Sequence, residues 1–295
     1  MKKTIFTGAG VAIVTPMYDD GSINYEVFGQ LIDDQIANST DAIIVTGTTG
    51  ESSTLTHEEH VEAIRFCVER VNGRIPVVAG TGSNDTAYAL ELSKEAEAIG
   101  VDGLLLVTPY YNKTSQQGLI KHFTYLADRL ETPIILYNIP GRTGVNIKPE
   151  TFLELSKHPM IVGAKEASGN ISELAQVIAL CGDNLDIYSG NDDQITPFLA
   201  LGAKGVISVL SNICPKVTHD ICAYAFQGDF KASAKLQLEY LDLINNLFID
   251  VNPIPVKAAM NLMGYQVGPC RMPLAEMDAV SLNKLKASLN RRGFI

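Results

Sequence analysis

The sequence has no tryptophan and five scattered cysteines among its 295 residues: Cys67, Cys181, Cys214, Cys222 and Cys270. Their number is odd and no two form a Cys-x-x-Cys pair. This excludes a disulfide framework and reads as reduced thiols in a cytosolic, hence cytoplasmic, protein. Basic residues are also scarce: 23 Lys+Arg face 33 Asp+Glu for a formal charge of −10, and no basic run exceeds the pair Arg291-Arg292. Charge therefore argues against nucleic acid and anionic membrane surfaces as partners. A long hydrophobic run is missing too, since no segment reaches the roughly 18 apolar residues that span a bilayer. Met1-Lys2-Lys3 resembles the basic end of a signal peptide, but the apolar segment Val11–Val14 before Thr15-Pro16 is too short for a secretory core.

What is present is an ordinary globular composition, 46% hydrophobic and 19% charged. Eight short runs rich in β-branched residues recur at Val11–Val14, Ala42–Val45, Ile75–Ala79, Gly103–Val107, Pro133–Tyr137, Ile161–Ala164, Leu185–Tyr188 and Val206–Val209. Their centres lie roughly 20 to 34 residues apart with helical patterns between most of them, the cadence of successive βα units. Continuous rather than alternating apolarity suits strands covered on both faces. Eight such units predict a closed parallel (β/α)8 barrel. Thr56-His57-Glu58-Glu59 is a capping box for a helix through Val71, Asn84 can cap a helix through Ile99, and Pro149 suits the first turn of another. Gly100 and Gly118 are expected at chain reversals. After the eighth run the pattern is helical only, at about Pro215–Phe226, Lys231–Phe248, Pro255–Met263 and Leu282–Asn290. The expected division is a barrel over residues 1–224 and a C-terminal helical extension over 225–295.

In such a barrel chemistry sits where strands end, and reactive residues gather there. Lys165 closes the sixth run. A primary amine at that point is either a structural lysine whose head reaches solvent or a desolvated amine kept neutral for Schiff-base chemistry. The second run ends in Gly47-Thr48-Thr49-Gly50-Glu51, either a plain β-turn or a nest of amides and hydroxyls for a carboxylate. Tyr111 follows the fourth run, and Tyr137 ends the fifth; phenols there can pack or relay protons. Arg142, after Pro140-Gly141, has a fork suited to a substrate carboxylate or to a surface acid. The spacing of His57 and His60 does not fit a helical zinc site, and Gly80-Thr81-Gly82 lacks the third glycine of a dinucleotide fingerprint. Lys257 is the competing amine, within the helical extension.

Taken in order, Gly47-Thr48-Thr49-Gly50-Glu51, Thr108-Pro109-Tyr110-Tyr111-Asn112, Tyr137-Asn138-Ile139-Pro140-Gly141-Arg142-Thr143-Gly144, Lys165-Glu166-Ala167-Ser168-Gly169 and Asn252-Pro253-Ile254-Pro255-Val256-Lys257 resemble the dihydrodipicolinate synthase family along essentially the whole chain. That family lies among the pyruvate-dependent class I aldolases and lyases. The resemblance implies that Lys165 forms an imine with pyruvate and that the derived enamine attacks L-aspartate 4-semialdehyde to give 4-hydroxy-tetrahydrodipicolinate. It implies that Tyr137 moves protons at the imine, with Thr48 linking it to Tyr111 of a neighbouring subunit in a homotetramer. It places the pyruvate carboxylate on the amides of Thr48 and Thr49, near Gly190 and Ile207, and the semialdehyde carboxylate on Arg142. No metal and no organic cofactor are implied. N-acetylneuraminate lyase and 2-keto-3-deoxy sugar-acid aldolases share the barrel, the lysine and the tyrosine; Arg142, and threonine rather than serine at position 48, favour the synthase. A lysine-binding regulatory site of the family maps to Ser52, His57, His60, Asn84, Tyr88 and Tyr110. Tyr88 stands where the lysine-sensitive pattern has glutamate, so lysine inhibition is expected to be weak or absent.

Overall fold

The computed structural model describes residues 2–295. In chain order its strands and α-helices are β1 (Gly8–Ala12), α1 (Tyr25–Ala37), β2 (Ala42–Val45), α2 (His57–Val71), β3 (Val77–Gly80), α3 (Thr86–Ile99), β4 (Gly103–Val107), α4 (Gln116–Ala127), β5 (Ile134–Asn138), α5 (Pro140–Thr143), α6 (Pro149–Leu155), β6 (Ile161–Glu166), α7 (Ile171–Cys181), β7 (Asp186–Ser189), α8 (Ile195–Ala200), β8 (Gly205–Ser208) and α9 (Pro215–Phe226). Four further helices follow: α10 (Phe230–Glu239), α11 (Leu241–Asn246), α12 (Ile254–Leu262) and α13 (Ala279–Asn290). The strands close in sequence order into one parallel barrel, β8 pairing back onto β1. This is the (β/α)8 architecture expected from the cadence.

The strands are buried on both sides, which explains their unbroken apolar runs. One set of side chains, including Ile44, Val78, Leu105, Ile135, Tyr137, Tyr188 and Ile207, fills the barrel interior. The opposite set packs against the surrounding helices. Each such isoleucine or leucine contributes about 1.5–3 kcal/mol by leaving water. That helix-facing core also takes in Leu243, Ile244, Leu247, Met260, Leu285 and Leu289 from the last helices, which therefore lie against the barrel.

Local rules were right about Thr56, whose hydroxyl and Glu59 form a full capping box on α2, and about Pro149 at the start of α6. Five expectations need correction. The first strand begins at Gly8 and ends at Ala12, because the Val14 amide donates to the Asn212 side chain (3.1 Å) instead of joining the sheet. The cap of α3 is Asp85, which accepts from the Ala87 amide, while Asn84 uses its carbonyl to receive the Asn112 side chain. Gly118 is not at a reversal but inside α4, where an added Cβ would lie 1.9 Å from the Thr114 hydroxyl; crowding requires the glycine. The long helix expected through Phe248 breaks at Tyr240, whose backbone leaves helical geometry and turns Leu243, Ile244 and Leu247 into the core. The helix over Pro215–Phe226 contacts β1 and β8 and supplies the eighth unit, so a cut between 224 and 225 falls inside it.

Candidate active site

The sheet register sets Tyr137 beside Lys165 and Lys165 beside Tyr188. Lys165 and Tyr137 are each only 6% exposed, and the lysine Nζ lies 4.3 Å from the centre of the tyrosine ring. Burial dominates the electrostatics of both. It lowers the Lys165 pKa to about 8, with the Arg142 charge adding to the fall and the Asp192 carboxylate opposing it. It raises the Tyr137 phenol to about 12, while the Arg142 charge and the Thr48 side chain pull the other way. Thr48, Tyr137, Arg142 and Lys165 therefore sense one another, as their placement after different strands requires if they share one mouth.

The turn after β2 is closed by Gly50 and Glu51 amides donating to the Gly47 and Thr48 carbonyls, at 3.1 Å each. The amides of Thr48 and Thr49 donate to no backbone carbonyl among the described residues, which leaves them free for an anion. Thr49 is buried and its hydroxyl receives the Asn252 side-chain amide at 3.0 Å. Arg142 projects from the single turn α5 and donates to the Asn252 carbonyl at 3.0 Å. Gly190, after β7, donates to the Glu166 carbonyl at 2.8 Å; a Cβ there would stand 2.6 Å from the Ala167 side chain and 3.2 Å from the Lys165 Cε. Only glycine lets the backbone pass so near the amine. Ile207 is buried in the barrel interior with Tyr137. Tyr111 does not belong to this buried group: it is 91% exposed, at a positive φ of 65°.

The set of positions mapped to a regulatory site divides. His57 meets the Tyr88 hydroxyl at 3.3 Å and Glu95 at 2.9 Å. His60 turns away into the protein, where it is buried, bonds the Gly80 carbonyl at 2.8 Å and has its pKa lowered by burial to about 4. The two histidines diverge. Tyr110 is partly exposed, and Ser52 begins the turn that leads to α2.

Comparison with known proteins supplies the decisive observation. The model of the Dihydrodipicolinate synthetase family matches residues 5–292. The chain belongs to this family. It is 57% identical over 292 residues to the 4-hydroxy-tetrahydrodipicolinate synthase of Lachnoclostridium phytofermentans, covering 99% of each chain, and 53% identical over 295 residues to that of Acetivibrio thermocellus, covering both completely. Its fold is similar to the dihydrodipicolinate synthase of Acinetobacter baumannii in complex with pyruvate, with a TM-score of 0.97 at 41% identity over 99% of this chain and 100% of the other.

Three features of this family member were not singled out from its residues. Asp192 is fully buried, accepts from the Val209 and Leu210 amides at 3.0 and 2.9 Å, and keeps its other oxygen unpartnered. Burial raises its pKa, and its field acts on Lys165. Its position three residues past β7 was the only signal available. Asn252, between Thr49 and Arg142, lay in a quoted motif without an assigned task. Glu51, directly after the turn, forms a buried ion pair with Lys257 at 2.8 Å and also accepts from the Arg271 amide. A cleft of about 860 Å³ lies elsewhere, between Met17 and the segment from Pro269 to Met277, and shares none of the candidate catalytic residues.

Proposed function

We propose that this protein condenses pyruvate with L-aspartate 4-semialdehyde to give 4-hydroxy-tetrahydrodipicolinate, with Lys165 as the covalent group. One observation carries the reading: a buried amine whose pKa falls to about 8 lies 4.3 Å from the ring of a buried tyrosine at a barrel strand end. At pH 7 about a tenth of that amine is neutral, roughly three hundredfold more than for an exposed lysine. The neutral amine attacks the pyruvate carbonyl, water leaves, and the resulting protonated imine is the electron sink that takes up the C–H electron pair as the methyl carbon loses a proton, giving the enamine. The enamine carbon bonds to the aldehyde carbon, and the semialdehyde's own amine closes the ring and displaces Lys165. No metal or organic cofactor takes part in these steps.

In this reading Tyr137, held by Thr48, donates and accepts the protons of imine formation. The free amides of Thr48 and Thr49 hold the pyruvate carboxylate beside Gly190 and Ile207, and Arg142 holds the semialdehyde carboxylate. The barrel, through the end of α9 at Phe226, carries the reacting groups, and the helices that follow hold them in place. Tyr111, exposed on the single chain, is assigned to the relay of a neighbouring subunit in a homotetramer. The protein is assigned to the cytoplasm; no helix among the described residues is long and apolar enough to cross a membrane. Tyr88 offers a hydroxyl rather than a carboxylate to an incoming ammonium, and His60 is committed to Gly80, which supports weak lysine inhibition. A half-inhibitory lysine concentration above about a millimolar, corresponding to about −4 kcal/mol of binding, is expected in an activity assay; a value well below that refutes it.

The test is borohydride reduction in the presence of pyruvate followed by peptide mass mapping. The adduct is expected on Lys165; finding it on Lys257, or nowhere, overturns the mechanism. Assaying cleavage of N-acetylneuraminate and 2-keto-3-deoxy sugar acids beside the condensation separates the aldolase reading, and activity confined to the condensation is expected.

A further inference from the structure

Asn252 reaches the site from the C-terminal helices and is 6% exposed. Its side-chain nitrogen donates to the Thr49 hydroxyl at 3.0 Å, its backbone carbonyl accepts from Arg142 at 3.0 Å, and its side-chain oxygen is buried with no partner among the described residues. The amide thus has one side-chain contact, and that contact is with Thr49. A threonine hydroxyl that accepts from an amide must send its own proton elsewhere. No described residue receives it, and the amides of Thr48 and Thr49 beside it also lack backbone acceptors. Three donors of one turn are therefore left for a ligand oxygen.

We infer that Asn252 is a positioning residue that fixes the Thr49 hydroxyl as a hydrogen-bond donor to the carboxylate of the keto acid. The inference rests on the reading that this turn holds pyruvate. A hydroxyl left to rotate would present a lone pair to the carboxylate in some of its orientations. Engaging that lone pair with an amide N–H removes those orientations before the keto acid arrives, which is preorganisation of a charge-assisted bond. The same residue receives Arg142 through its carbonyl, so one C-terminal residue spans both proposed carboxylate holders.

The experiment measures the pyruvate concentration for half-maximal borohydride trapping on Lys165, with the pyruvate KM of the condensation as a second readout. Asn252→Ala should raise both about fivefold, the size of one hydrogen bond of about 1 kcal/mol, and should change the semialdehyde KM less because the carbonyl toward Arg142 remains. In a Thr49→Val background the same substitution should add nothing. An equal fold-change in that background, or none in the original one, overturns the inference. Should Asn252→Ala fold poorly, Asn252→Asp keeps the shape but offers an acceptor to the Thr49 proton and turns the donor away. It should weaken trapping by at least as much, and wild-type trapping by Asn252→Asp overturns the inference. Absence of any trapping in the unmodified protein is a different result, which overturns the underlying function instead.

Discussion

Two lysines are buried among the described residues of this protein, and they are opposites. Lys257, in α12, is 2% exposed and saturated: its amine donates to the Glu51 carboxylate and to the carbonyls of Thr15 and Pro269. Lys165, at the end of β6, is 6% exposed and faces an aromatic ring, with a buried aspartate near enough to act on it through its field. Burial by itself marks neither as reactive. A buried amine with an ion pair and two carbonyl acceptors is fixed in place, whereas one left without such partners gives up its proton more readily. The difference shows how one chain holds the same side chain as a structural rivet in one place and as the proposed nucleophile in another.

The comparison breaks most visibly if the two are exchanged in role. Replacing Lys165 with methionine should lower turnover by about 10⁴-fold or more, since no other amine can form the imine; condensation assays at equal folded protein check this, and residual activity within tenfold of the original sinks the assignment. Replacing Lys257 with methionine should act on the fold. It leaves the Glu51 carboxylate buried and uncompensated, at a cost of about 3–5 kcal/mol, visible as a lower midpoint in urea. An unchanged midpoint would mean the pair is dispensable.

Two smaller effects sharpen the contrast. Because the folded-state pKa of Lys165 lies near 8 and its ordinary value near 10.5, the unfolded chain holds more protons than the native one between those limits, so the wild-type contribution rises with pH there. Lys165→Met should therefore be more stable than the parent by on the order of 2 kcal/mol below pH 8, and that gain should vanish by about pH 10.5; a gain independent of pH would assign it to packing alone. Last, kcat/KM for pyruvate should climb about tenfold per pH unit below 8 and flatten above it, following the neutral amine. A profile flat from pH 6 to 8 would place the controlling group elsewhere.

Much of this was legible in the residues. The apolar runs marked eight strands because each is buried on both faces, and the segments just after them held the lysine, the tyrosine, the arginine and the turn because a parallel barrel presents all strand ends together. Boundaries slipped where a tertiary contact outweighed a local one, as at Val14, taken by Asn212, and at Tyr240, where the helix gives way to the core. Asp192, Glu51 and Asn252 were harder to see. Their partners lie 17 to 220 residues away, and no periodicity links residues at such separations.

The sequence by itself determined the barrel and the family and pointed to a candidate nucleophile, because hydrophobic period and strand-end chemistry are written in neighbouring residues. Only the tertiary structure decided which buried lysine is left without a fixed partner, which histidine is locked neutral, and how a C-terminal asparagine meets the turn after β2. The reason is physical: pKa, hydroxyl direction and ion pairing depend on desolvation and on distances of a few ångström, and those come into being only when the chain has closed on itself.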